Sequence, residues 1–166
     1  MSLDTLIADT RKAITDEAAN AQVVFAAQGT LVGVTEVDIS TGAHTFKVDE
    51  PAALGGADNA ANPVQYALAS LGSCQAITYR LWAAQLGVKL RSISVRVEGD
   101  LDLRGLFGVD DTVRPGFSAV RVEVTVAGPE SEERYAELAA AVDEHCPVLD
   151  LFKNPVPVSR TLAASG

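Results

Sequence analysis

The chain has 166 residues, 48% of them hydrophobic and 21% charged, an ordinary globular composition that excludes a disordered protein and fits one domain better than two. Its net charge of −9 excludes the clustered Lys and Arg with which proteins hold nucleic acid or anionic membranes, so neither partner is expected. No apolar run approaches the roughly 18 residues of a membrane span.

The first stretch, "MSLDTLIADTRKAITDEAANA", has acids where a signal peptide needs a basic segment and an apolar core. A cytoplasmic protein is therefore expected. Leu3, Leu6, Ile7, Ile14 and Ala18 fall on one side of an amphipathic helix over residues 3–20, which makes 1–20 a helical extension of a single domain spanning 1–166. Three short β-like segments follow, "AQVVFAAQG", "LVGVTEVDIS" and "HTFKVDE", punctuated at Gly29-Thr30 and Thr41-Gly42 as in a meander. Residues 50–63, rich in Gly, Ala, Asn and Pro, form a long loop of the kind that rims functional sites.

Asn62 as cap, Pro63 at the first position and Gly87 as stop delimit a helix from Pro63 to Leu86. Its middle is apolar or small nearly all round, so it demands burial on most sides. One domain of this size cannot enclose it; a second copy can, with Ala69, Ser70, Gly72 and Ser73 permitting close approach. An intertwined homodimer is the expectation. Beyond it, "SISVRVEGDLDL" and "AVRVEVTVAG" alternate as strands around the loop "RGLFGVDDTVRPG". Ser131 caps a helix with Tyr135, Leu138, Ala139 and Val142 at helical spacing, and Cys146-Pro147 starts a second short one. "PVPVSRTLA" reads as an edge strand, since prolines cannot donate to a central ladder. The fold class is α+β.

The chemistry-bearing residues are few. The only cysteines, Cys74 and Cys146, are more often free or redox-active than permanently bridged in a reducing compartment. With two histidines, one of them adjacent to Cys146, and no paired ligand spacing, neither a metal nor another cofactor is expected. Cys74, in line with Leu71 and Leu81, reads locally as a small buried hydrophobe; Cys146 at a helix start sits where a dipole favours thiolate, so local physics alone nominates Cys146 as the reactive thiol. Ser73 lacks the G-x-S-x-G turn of a hydrolase, and "LGG" at 54–56 is not followed by a phosphate-loop lysine.

"NPVQYALASLGSC" followed by "HCPV", with "TFKVDEPAALGG" before the helix and "EGDLDLRG" after it, resembles the OsmC/Ohr family of osmotically inducible and organic-hydroperoxide-resistance proteins, peroxiredoxin-like hydroperoxide reductases. The likeness covers roughly residues 40–160. It implies an intertwined α+β homodimer whose long central cysteine-bearing helices pack against antiparallel sheets. It also implies a thiol peroxidase in oxidative-stress defence: Cys74 attacks a small hydrophobic peroxide, Cys146 resolves the sulfenic acid as a disulfide, and a dithiol reduces the pair. This reverses the roles assigned on local grounds.

Family peroxidases keep an arginine from an N-terminal strand and a glutamate near the start of the cysteine helix. Here Val64 and Gln65 stand where the glutamate occurs, and no arginine lies between Arg11 and Arg80. Gln65 is thus expected to polarise the site without ionising, with Arg104 or Arg114 as candidate replacements for the arginine. A thiolate without a cation should form at raised pH and react slowly. The alternative is a catalytically weak dimer that binds a small apolar ligand or senses oxidation.

Overall fold

The computed structural model describes residues 2–164, so the outermost residues of the expected 1–166 domain lie outside the described part. Helix α1 (Leu3–Asp16) is capped by Ser2 and is followed by a separate 3-10 turn, Ala18–Ala21; the expected helix over 3–20 stops earlier because Glu17 turns extended. No residue of α1 is buried, and Arg11 reaches Gln85 at 2.6 Å.

Three antiparallel strands, β1 (Gln28–Leu31), β2 (Val37–Thr41) and β3 (His44–Val48), form a meander in the order β1-β2-β3. Leu31 pairs with Val37, Val37 with Val48, and Ile39 with Phe46, which gathers the apolar side chains on one face. Two expectations are corrected. Residues 22–27 have no regular structure and carry no ladder; at the end of β2 the Ala26 carbonyl accepts the Thr41 side-chain hydroxyl at 3.0 Å. Gly29-Thr30 sits inside β1, and the turn falls at 32–36, where the N–H groups of Val32 and Gly33 both donate to the carbonyl of Glu36. The turn after Thr41 is where the sequence puts it.

The loop 50–62 is organised by Asp49, only 1% exposed. Its carboxylate accepts the Thr35 hydroxyl at 2.6 Å and the backbone N–H groups of Glu50, Ala57 and Asn59. Gly56 permits this fold-back: a Cβ there would lie 1.7 Å from the Glu50 carbonyl oxygen.

Helix α2 (Pro63–Leu86) has the expected boundaries, with Asn62 as cap and Gly87 in the left-handed region at φ 65°. It buries Leu71, Gln75, Thr78, Tyr79 and Ala83. The opposite side is open in the protomer, where Ile77 is 61% exposed.

Strands β4 (Ser92–Asp100) and β5 (Ala119–Ala127) make a two-stranded ribbon. The pairs Ile93–Val126, Val95–Val124 and Val97–Val122 fall on one face, Arg96–Glu123 and Glu98–Arg121 on the other, the period-two signature of a half-buried sheet. A Cβ at Gly72 would lie 3.3 Å from the Val97 side chain, so the ribbon's apolar face lies on α2. The connecting loop holds a single turn of helix, α3 (Leu103–Leu106).

Helices α4 (Glu132–His145) and α5 (Pro147–Lys153) pack on α2. Tyr79, Ala83, Val88, Leu138, Val142 and Cys146 form the buried core, with Cys74, Trp82, Ile93, Val124 and Leu149 against it. The expected C-terminal edge strand is absent: residues 155–164 have no regular structure and pair with neither sheet, although β1, β3, β4 and β5 each keep an unpaired edge. No described helix is long and apolar enough to cross a membrane.

Candidate functional site: a thiol pair at a helix start

Cys74 projects from the middle of α2, and Cys146 is the residue that ends α4 and caps α5. Pro147 at the first position of α5 forces the break between α4 and α5, because the residue before a proline avoids helical geometry. That break turns Cys146 back onto α2. Its thiol donates to the Cys74 sulfur at 3.5 Å. A disulfide would require the sulfurs to close to about 2.0 Å, a side-chain adjustment rather than a refolding.

The two sulfurs differ in access. Both are free thiols, but Cys146 is 2% exposed whereas Cys74 is half-buried. Burial is the leading influence on Cys74 and pushes its thiol up; the backbone N–H of Val148, in the first turn of α5, opposes this. The Cys146 sulfur adds to the rise, since two thiolates resist sharing one site, and the Thr78 hydroxyl pulls the other way. The net direction is up. The start of α5 thus turns an amide towards the sulfur of Cys74, while Cys146 makes no side-chain bond to its own helix.

Gln65 is not brought to the pair. Its amide oxygen accepts the Asn62 N–H at 2.9 Å while the Asn62 side chain accepts the Gln65 N–H at 2.9 Å, a reciprocal capping box. From there to Cys74 is about 13 Å along the helix axis. The loop arginines do not reach it either. Arg104 is held by Asp102 at 2.6 Å and Asp110 at 3.5 Å. Arg114 lines a cavity to which neither cysteine contributes. His145 turns away: its ring packs tilted against Trp82 with centroids 4.1 Å apart, and its Nδ1 lies 2.8 Å from the Ala141 carbonyl.

Two groups beside Cys74 escape sequence reasoning. Thr78 lies one helical turn further on, so its spacing carries the signal. Val148 carries none, because its amide matters only once α5 has docked.

Comparison with known proteins gives the same frame. The family model for OsmC-like protein matches residues 55–160, well over half of the chain and both cysteines. An OsmC-like protein from Mycoplasma pneumoniae superposes with a TM-score of 0.69 at 16% identity, over 80% of this chain and 89% of that one. An organic hydroperoxide resistance protein OsmC from Legionella pneumophila gives 0.61 at 24% identity, over 79% and 90%. An organic hydroperoxide resistance protein from Elizabethkingia anophelis, with thiocyanate bound, gives 0.62 at 20%, over 80% and 89%. No curated protein matches the sequence.

Proposed function

The chain belongs to the OsmC-like protein family, and from that premise we propose that it is a cysteine-based peroxidase that reduces small hydrophobic hydroperoxides. The observation that carries the reading is the 3.5 Å approach of two sulfurs 72 residues apart, one accessible and one buried. The Cys74 thiolate attacks the terminal oxygen of the hydroperoxide; the O–O bond breaks, the alcohol leaves with a proton, and Cys74 becomes a sulfenic acid. The Cys146 thiol then displaces water from that sulfenic acid to give the disulfide. A dithiol reductant restores both thiols and is itself oxidised to a disulfide. Exposure supports this division of roles, since an attacking sulfur must meet substrate and a resolving one need only meet its partner. Gln65 enters as the residue that fixes the start of α2 rather than as a polarising group.

A dithiol-reduced pair belongs to a reducing compartment, and this supports a cytoplasmic location. A homodimer fits the open side of α2 and the apolar Val23, Val24 and Phe25, which nothing in the protomer covers. One observation favours the slower, ligand-binding or oxidation-sensing alternative: no lysine or arginine is among the leading influences on Cys74. Consumption of cumene hydroperoxide under dithiothreitol turnover decides between the two. Wild type should turn over and Cys74→Ser should not; equal rates for the two proteins would end the peroxidase reading.

A further inference from the structure

A cavity of about 470 Å³ lies between α2, β5 and α5, within the range of small-ligand pockets. Its inner wall is apolar: Leu71 is fully buried, Leu149 is half-buried, and the rings of Phe117 and Phe152 stack with centroids 6.4 Å apart. Its mouth carries two exposed cations, Arg114, folded back over Gly116, and Lys153 at the end of α5. Among the described residues neither is paired with a carboxylate; other cations, such as Arg80 and Arg91, make no ion pair either, but only these two line the cavity. The neighbouring acid on α5, Asp150, accepts from Asn154 at 2.7 Å and does not line the cavity.

In a chain of net charge −9, two unpaired cations at the rim of an apolar hollow match one chemistry, an apolar tail with a single anionic head. We propose that this cavity binds an amphipathic monocarboxylate of medium chain length. The tail lies against Leu71, Phe117, Leu149 and Phe152, and the carboxylate between Arg114 and Lys153. The site is separate from the sulfurs yet beside them in the chain. Leu71 precedes Cys74 by three residues on α2, and Leu149 follows Cys146 by three on α5. An occupant therefore rests on both helices that carry the thiols without being consumed by them. Because both cations are exposed, their contribution is screened and falls as salt is raised.

Calorimetric titration of the full chain with octanoate, against octanol as the neutral molecule of equal tail, tests this. Octanoate should bind about tenfold more tightly than octanol, the scale of one charge-assisted hydrogen bond. Arg114→Gln and Lys153→Gln should each remove most of that advantage and leave octanol binding unchanged. Cys74→Ser should bind octanoate as wild type does, so that loss of peroxidase activity and loss of this site are read separately. Equal affinity for the two probes, no octanoate binding, or octanoate binding that survives the double change Arg114→Gln/Lys153→Gln overturns the proposal.

Discussion

The half of the molecule around Cys146 and the half built from β1–β3 obey different packing rules. In the first, α2, α4, α5 and the β4–β5 ribbon bury Leu138, Val142 and Cys146 among one another. In the second, the three-stranded sheet holds the long helix through Tyr66, whose hydroxyl donates to the Lys47 carbonyl at 2.9 Å and whose ring packs tilted against Phe46 at 4.9 Å. The segment leading into that sheet leaves Val24 95% and Phe25 91% exposed. Apolar side chains with no core of their own gain nothing from the protomer's fold. The thiol pair sits in the half that has a buried core of its own; the arm belongs to the half that has none.

Leu138→Ala should show the largest effect. It empties a fully buried position in the layer that holds α4, and thereby Cys146, against α2. A loss of about 2–5 kcal/mol is expected in urea unfolding, with the two thiols no longer oxidised together by mild peroxide. A cost as small as that of a surface change would erase the distinction between the halves.

Next in size is the pH dependence of Cys74. Its thiol is pushed up by burial, so each unit of rise removes about tenfold of the thiolate at neutral pH, only partly recovered through higher nucleophilicity. Peroxide consumption should climb from pH 7 towards pH 9. The sign for stability is the reverse. A thiol whose folded pKa is raised contributes stability that is full below its unfolded value of about 8.5 and is lost as pH rises through the folded value. A flat rate profile over the same range would show that a cation reaches the sulfur after all.

Phe25→Ala should be the mildest change for the protomer, within roughly 0.5 kcal/mol for unfolding. Where a second copy covers the arm, the same change weakens association, and the melting temperature falls more at low protein concentration than at high. Sedimentation of both proteins at micromolar concentration measures it. Unaltered association would assign the arm no place in a dimer.

The sequence alone determined what is local. Asn62, Pro63 and Gly87 bounded α2, and the period-two runs placed β4 and β5, because caps and side-chain alternation act within a few residues of themselves. The Asn62–Gln65 capping box is legible on the same terms, while the resemblance makes Gln65 a candidate site residue. The resemblance of the cysteine motifs named the pair, but nothing in their spacing put the two sulfurs within 3.5 Å. Tertiary structure alone decided that meeting, the turn of the Val148 amide towards Cys74, the withdrawal of His145 onto Trp82, and the engagement of Arg104 by Asp102. It also decided that residues 22–27 and 155–164 carry no ladder, although their composition suits strands. A strand exists only opposite a partner, and a thiol is tuned only by what the packed chain sets against it; both depend on which distant segments dock.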